Sequence, residues 1–380
     1  MTTIYLIRHG EAEGNLYRLM HGQYDSDLTA LGYAQAEKLG ERFRNVPLDA
    51  VYTSDLHRAA ATVAPICRVQ GLPLHLDRRL REIQMGVWEN VPFGNALADE
   101  RALFETFTYH PLDWHIDGSE DFRDLSQRGI AALRDIAARY PNGSVAVGAH
   151  FVIIKAILGG LFTGLDHPEE IPRLRNTSIT TLTAENGAFT LKSVDDADHL
   201  PPELLRLPSG KNLCFRPMGQ DAAEEYIRYR KDAWEVVYGD LKGFDGSGFW
   251  LDAQRSIGPD PEAMVVAYLE GRPVGMLQLN PARDANKGVG YIPFVYLREA
   301  WRHQGLGIQL IGHAVKFYRR LGRKKLQLSV YPGNTNALGF YRKFGFTQVK
   351  KHRGRFGHLL LMEKDIRVPG LPKDIRTLAE

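Results

Sequence analysis

The chain has 380 residues, of which 44% are hydrophobic and 24% charged, with a formal net charge of +3. That length predicts two domains rather than one, and the composition excludes a disordered chain. No apolar run approaches the roughly 18 residues of a membrane span. The opening stretch lacks a signal peptide's basic-then-apolar layout, and Cys67 and Cys214 are too few for a disulfide framework or a four-ligand zinc site. A cytoplasmic protein is therefore expected. Charge is unevenly spread. Residues 1–200 carry 19 Lys and Arg against 27 Asp and Glu, whereas residues 201–380 carry 29 against 18. The basic second half suits an anionic ligand, although the asymmetry also serves solubility.

In chain order, Ile4–Ile7 reads as a short buried strand that stops at Arg8-His9-Gly10. Leu28–Arg44 reads as a helix with Thr29 at its N-cap and Ala36, Leu39 and Phe43 on one stripe. Ala50–Thr53 is a strand and Asp55–Val69 a helix. Ser144–Ala149 is a buried strand running into His150, and Ser178–Thr183 and Ala188–Val194 are further strands. This alternation predicts an α/β layered sheet with ligands at the carboxyl ends of its strands. Asp195–Lys211 breaks the pattern with an acidic cluster, a Pro-Pro pair and a Pro-Ser-Gly turn.

Beyond the break, Leu213–Phe215 is a strand and Asp221–Tyr238 a helix. Met264–Leu269 and Val274–Leu279 flank Glu270-Gly-Arg-Pro273 as a hairpin. Val289–Leu297 is a strand, Gly305–Leu321 a long helix, Lys325–Val330 a strand and Thr335–Phe344 a helix. Thr347–Lys351 and Gly357–Lys364 close a mixed α+β, mostly antiparallel unit. The expected division is 1–195, a linker at 196–210, a second domain at 211–366, and a tail at 367–380 that packs on a surface or frays.

His9 stands where a buried strand stops, and a neutral imidazole attacks phosphorus near pH 7. Charge developing on phosphoryl oxygens needs fixed cationic donors. Arg8 is adjacent, Arg58 opens the helix after the next strand, and His150 ends a third strand, so all should meet at one sheet edge. Glu82 is placed to protonate a leaving oxygen. Each fragment alone matches by chance; several in order at strand ends do not.

These fragments resemble the histidine phosphatase superfamily, with its phosphoglycerate-mutase-like fold, over about residues 1–195. Arg8-His9-Gly10 with Asn15 is similar to the opening motif. Gly22-Gln23 with Leu28-Thr29-Ala-Leu-Gly32 resembles the segment that follows. Ser54-Asp55-Leu-His-Arg58-Ala59 with Thr62 resembles the second arginine motif, Leu80-x-Glu82-x-x-x-Gly86-x-Trp88-Glu89 the acid motif, and Asn176-Thr-Ser the late strand. The resemblance implies an α/β/α sandwich on a mostly parallel sheet, with His9 the phosphorylated nucleophile and Glu82 the proton donor. By it Arg8, Arg58 and His150 form the phosphate pocket, Asn15 and Gln23 lie beside it, and no metal is needed. Two departures stand out: Phe151 follows the second histidine where glycine is usual, and Asn90 replaces a glycine. The unit also lacks room for the insertions of glycolytic mutases, which favours a phosphatase. Residues 89–120, with Phe93, Phe104, Phe107, Tyr109, Trp114 and His115 beside Trp88, would set specificity or simply pack.

In the second half, Arg302-His-Gln-Gly305-Leu-Gly307 lies between a strand and a long helix, where glycines allow close backbone approach and free N–H groups favour an anion. The spacing is not that of the dinucleotide fingerprint. Together with Phe294–Leu297 and Asn334-Thr-Asn-Ala337…Phe340-Tyr341…Gly345-Phe346, it resembles the GNAT acetyltransferase family over about residues 211–366. The resemblance implies acetyl-CoA as co-substrate. Its pyrophosphate would lie on the backbone of His303, Gln304, Gly305, Leu306, Gly307 and Ile308 after Arg302. Val295 and Leu297 would pair with the pantetheine arm, Asn334 would contact CoA, and Tyr341 would protonate the departing thiolate. The strand before the signature offers no carboxylate base; Tyr291, a water, Glu235 and Asp240 remain open.

The leading expectation is a fused phosphomonoesterase and N-acetyltransferase acting on small phosphate esters and amines of one pathway. Two alternatives stand beside it: a phosphatase whose GNAT domain senses acetyl-CoA or acetylates proteins, and a nucleic-acid-binding second half using the basic clusters Arg319–Lys325 and Lys350–Arg355. The last is disfavoured, and no membrane partner is expected.

Overall fold

The computed structural model describes residues 1–205, 210–219, 221–256, 258–354 and 357–379. Pro208 and Ser209 of the expected turn, and Arg355 of the second basic cluster, lie outside them. The chain forms two compact units, the first from Met1–Val91, Ala96–Pro208 and Val368–Glu380, the second from Pro92–Asn95 and Ser209–Arg367.

The first unit is built on strands β1 (Thr2–Arg8), β2 (Ala50–Thr53), β3 (Leu74–Leu76), β4 (Ser144–Ala149), β5 (Ile179–Glu185) and β6 (Ala188–Asp196). They lie side by side as β3-β2-β4-β1-β5-β6, with the C-terminal strand Thr377–Ala379 outside β3. β3, β2, β4 and β1 run parallel, whereas β5 and β6 are antiparallel additions. The parallel strands read as near-continuous apolar runs because helices cover both faces. The helices of this half are α1 (Glu13–Tyr17), α2 (Ala30–Phe43), α3 (His57–Gln70), α4 (Phe93–Asp99), whose first three residues group with the second unit, α5 (Arg101–Tyr109), α6 (Phe122–Arg139) and α7 (Phe151–Leu158). α2 starts as its sequence predicts, with the Thr29 hydroxyl accepting from the Gly32 N–H at 3.0 Å, and it buries Ala36, Leu39 and Phe43.

Two stretches depart from expectation. Residues 196–205, read as linker, group with the first unit: Ala197 and Leu200 are buried, and the Leu204 carbonyl accepts from Gln35 Nε2 at 2.9 Å. The C-terminal tail neither frays nor merely rests on a surface. Thr377, Leu378 and Ala379 pair in parallel with Leu74, His75 and Leu76, and Ile375 joins the core around Phe43, Val63 and Ile66. Burial of Ile375 and closure of a strand edge both favour the docked segment.

The second unit is a sheet in the order β12-β13-β11-β10-β9-β8-β7. Its strands are β7 (Cys214–Pro217), β8 (Met264–Leu269), β9 (Arg272–Asn280), β10 (Val289–Leu297), β11 (Lys325–Val330), β12 (Thr347–Gly354) and β13 (Gly357–Asp365). All neighbours are antiparallel except β10 and β11, which pair in parallel only over Val289–Ile292. Helices α8 (Ala223–Tyr238), α9 (Gly246–Ser256), α10 (Gly307–Arg320) and α11 (Thr335–Lys343) flank it. α10 packs close at Gly290, where an added Cβ would fall 2.3 Å from the Tyr318 ring. Among the described residues no helix is long and apolar enough to cross a membrane.

Candidate functional site

Parallel register assembles the first site. Arg8 on β1 lies opposite Ala149 on β4, so His9 and His150 leave the sheet side by side, and the His9 N–H donates to the Ala149 carbonyl at 3.0 Å. Their ring centroids are 5.3 Å apart. β2 ends at the same edge and delivers Arg58 in the first turn of α3. His9 Nδ1 lies 2.7 Å from the Gly10 carbonyl. A carbonyl only accepts, so Nδ1 carries the proton and Nε2 presents the lone pair. Burial, with Arg58 and Arg8 nearby, holds the His9 pKa well below its usual value, so the imidazole is neutral at pH 7.

The surroundings are rich in donors that the protein leaves unused. Among the described residues, Arg8 Nε, Arg58 Nε and both ring nitrogens of His150 are buried without a hydrogen-bond partner. Orphaned buried polar atoms are rare and costly. The two arginine N–H groups and the single N–H of neutral His150 give three unused donors around one imidazole, which fits an oxyanion such as a phosphoryl group. Arg8 is otherwise anchored by Nη1 to the Leu174 carbonyl at 2.5 Å, and Arg58 by its Nη atoms to the carbonyls of Gly22 and Tyr24 at 2.6 and 3.0 Å. Burial pulls the Arg8 pKa down to about 10 and lowers that of Arg58. His150 is likewise held neutral, by burial first and then by Arg58.

Glu82 is buried, and its carboxylate accepts from the N–H groups of Ile83, Val152 and Ile153 at 3.0, 3.1 and 3.0 Å. The last two belong to the start of α7, a favourable place for an anion. Burial outweighs these bonds and raises the Glu82 pKa, which keeps a proton available for donation. Asn15 accepts from the Ala12 N–H at 3.0 Å and from Asn176 at 3.5 Å, while Asn176 also donates to the His9 carbonyl at 2.9 Å. Gln23 is tied to the Glu82 carbonyl and to Arg81, both at 3.3 Å.

Several supporting residues carry no role in the sequence reading. Thr62 Oγ1 accepts from the Gly10 N–H at 2.9 Å and donates to the Arg58 carbonyl at 2.7 Å, linking the two motifs. Glu89 accepts from the N–H groups of Gln23, Tyr24 and Met85. Arg128 on α6 donates to the carbonyls of Arg79, Arg81 and Glu82 and pairs with Glu120, fixing the acid-bearing segment. Nothing local in the sequence marks Arg128, because the carbonyls it holds lie more than 40 residues away.

Both departures from the motif acquire reasons. Asn90 has φ 60°, a left-handed conformation in which asparagine is the best substitute for glycine. Phe151 lies beneath the Arg8 guanidinium, 5.0 Å from ring centre to carbon, and braces it. The aromatic stretch after Glu82 mostly packs on itself: Trp88, Phe107, Trp114 and Phe122 meet at 5.0–6.3 Å, although Tyr109 is exposed.

In the second unit, β10 bulges between Tyr291 and Phe294 and parts from β11, while Val295 and Leu297 pair with Leu277 and Gly275 of β9. The edge of β10 toward β11 therefore carries no ladder beyond Ile292 among the described residues. The loop that follows is shaped by left-handed His303 (φ 59°) and Gly305 (φ 76°), and α10 starts without a side-chain cap. An added Cβ at Gly305 would meet nothing within 4 Å, so the backbone faces open space. A strand edge without a partner leading to an uncapped helix start fits a pantetheine arm and a pyrophosphate. The side chains of this loop do structural work. Arg302 donates to the Leu297 carbonyl, Gln304 bridges Lys211 and Ala300, and Leu306 and Ile308 are buried, leaving backbone to face a ligand. Asn334 caps α11 through the Ala337 N–H at 3.1 Å. Tyr341 is buried without a hydrogen-bond partner among the described residues, and burial raises its pKa, so it stays protonated. Of the open base candidates, Glu235 and Asp240 are exposed, and Tyr291 donates to Ser329 at 3.1 Å beneath the Arg283 guanidinium.

Among the described residues no group of three or more His, Cys, Asp or Glu is placed to hold a metal ion. Comparison with known proteins agrees with the two-unit architecture. The chain is 32% identical over 206 residues to the probable phosphoglycerate mutase GpmB of Salmonella choleraesuis, covering 53% of this chain and 95% of that protein. The solved structure of Bacillus stearothermophilus YhfR matches with a TM-score of 0.51 and 33% identity over 52% of this chain and 99% of that one. Residues 223–346 match the acetyltransferase (GNAT) family. With residues 4–197 matching its branch 1, the chain belongs to the histidine phosphatase superfamily and carries a GNAT domain behind that unit.

Proposed function

We propose that the first unit is a metal-independent phosphomonoesterase. His9 Nε2 attacks the phosphorus, the ester P–O bond breaks, and Glu82 gives its proton to the departing oxygen. Water then attacks the phosphohistidine, returning a proton to Glu82 and releasing orthophosphate. Arg8, Arg58 and His150 hold the phosphoryl oxygens throughout, with Asn15 and Gln23 beside them. The observation that supports this most is the lone pair of His9 Nε2 among three buried, unused donors. A His9→Ala chain should release no phosphate from any ester the wild type hydrolyses; turnover at the wild-type rate would overturn the assignment. Transfer between positions of phosphoglycerate, as the relative's name suggests for that protein, is separated by assaying isomer formation against phosphate release.

For the second unit we propose acetyl transfer from acetyl-CoA to an amine, with Tyr341 protonating the thiolate. Both substrates would be small metabolites of one pathway, a reading that rests on covalent fusion alone. A second reading, an acetyl-CoA sensor or a protein acetylase, draws on the lack of a carboxylate base along β10. Acetyl-CoA consumption with an amine panel favours transfer; a changed phosphatase rate without consumption favours the sensor.

A further inference from the structure

We infer that Arg230 is the anion receptor of the acceptor site, so that the amine taken by the second unit carries a carboxylate or phosphate group. The inference rests on the acetyl-transfer reading of that unit. Arg230 projects from α8 into a box of three rings: Phe294 of β10 at 3.9 Å, Phe249 of α9 at 4.9 Å and Tyr226 of α8 at 5.3 Å. Its Nε donates to the Tyr226 hydroxyl at 2.8 Å and its Nη2 to Gln278 Oε1 at 2.9 Å. Tyr226 and Gln278 are themselves buried and joined at 2.8 Å, so the fork is rigidly aimed.

What the box lacks is a negative charge. Among the described residues Arg230 forms no ion pair; Asp252 on α9 is exposed and contributes least among the groups that favour its charge. Burial disfavours the charged guanidinium, yet arginine stays ionised at any ordinary pH. A partly buried cation supported only by neutral groups is costly unless something anionic completes it. Arginine also supplies five N–H donors, and Nη1 makes no hydrogen bond among the described residues.

Its position fits an acceptor. The pyrophosphate loop follows the carboxyl end of β10, so a pantetheine arm running back along Leu297 and Val295 brings its reactive end toward Phe294. Phe294 is the ring beneath Arg230. An amine held there by its own anionic group would be presented at that end. Planar, bidentate capture of a carboxylate or phosphate is what a stacked guanidinium does best.

The test uses the full-length wild type, Arg230→Gln and Arg230→Lys. Acetylation is followed by mass spectrometry over α-amino acids, the matching amino-acid amides, and aminoalkyl phosphates, the last in a His9→Ala background. Thermal shifts with the same compounds in the presence of CoA give a readout independent of turnover. The expected result is preference for one anionic class in the wild type, which names the group. That preference should fall about 10- to 100-fold in Arg230→Gln and be partly kept by Arg230→Lys. Unchanged preference in Arg230→Gln, equal loss toward acids and amides, or wild-type preference for the amides would overturn the inference. Arg230-dependent shifts without any acetylation would sustain the anion site while refuting the transferase reading. Neither shift nor acetylation would refute both.

Discussion

The imidazoles of His9 and His150 face each other with centroids 5.3 Å apart because each directly follows one member of the Arg8–Ala149 pair of parallel strands. Both rings are held neutral by burial and by the arginines around them. The proposed hydrolysis should therefore have a pH window with two opposite edges. As pH falls through the lowered His9 pKa, the imidazole takes a proton and loses its lone pair. As pH rises through the raised Glu82 pKa, the acid loses the proton it should donate. A bell-shaped kcat/KM profile is expected, and Glu82→Gln should lower kcat by about 10²- to 10⁴-fold and erase the alkaline limb. An alkaline limb that survives in that variant would assign the acid elsewhere.

The same histidines link pH to stability. Their folded pKa values are depressed, so the stability they contribute is present above the unfolded value of about 6.5 and is lost as pH falls toward the folded values. The first unit should unfold at lower temperature at pH 5 than at pH 7. His150→Gln should flatten that dependence; an equal slope would show that other groups carry it.

Arg128 is predicted to be a positioning residue. Arg128→Met strands the carbonyls of Arg79 and Arg81, leaves the Glu82 carbonyl with Gln23 alone and removes the ion-pair partner of Glu120. A loss of about 2–3 kcal/mol is expected from unsatisfied buried groups. Because the segment bearing Glu82 loosens, kcat should drop and the alkaline limb should shift while KM moves little. A stability loss with an unaltered pH profile would reduce Arg128 to a structural role.

Asn90 tests the backbone argument. Asn90→Gly should be neutral within about 0.5 kcal/mol, whereas Asn90→Val should cost about 1–3 kcal/mol for forcing a β-branched residue to positive φ. Urea unfolding of the two variants decides it, and equal stabilities would remove the strain argument.

Deleting residues 371–380 should weaken the first unit. The deletion removes Ile375 and Leu371 from its core, the Arg68–Asp374 pair at 2.9 Å and the outermost strand. About 3 kcal/mol from the buried side chains corresponds to roughly 6–12 °C in that unit's transition. Calorimetry on the full chain resolves it, and an unmoved transition would mean that the strand contributes nothing.

Gly305→Glu should abolish acetyl-CoA binding. The position demands a left-handed backbone, and the added carboxylate would occupy the open space in front of α10 with the wrong charge. Calorimetric titration with CoA measures this directly, and an unchanged affinity would place the pyrophosphate elsewhere.

The chain's local patterns were enough to place most elements. Runs such as Ser144–Ala149 and caps such as Thr29 reflect short-range physics: burial on two faces, and a hydroxyl answering a free helix N–H. Motif order likewise placed His9, Arg58 and His150 at strand ends, since strand, turn and helix follow one another within a few residues. Three features depended on contacts between residues far apart. Arg128 reaches carbonyls more than 40 positions upstream, the tail reaches β3 across some 300 residues, and Arg230 meets Phe294 and Gln278 only when α8 lies on the sheet. A guanidinium among rings and amides looks, along the chain, like any helix-surface arginine. Which charges lie buried without a counter-charge is decided by packing, because burial and the distance to every other charge exist only once the chain has folded.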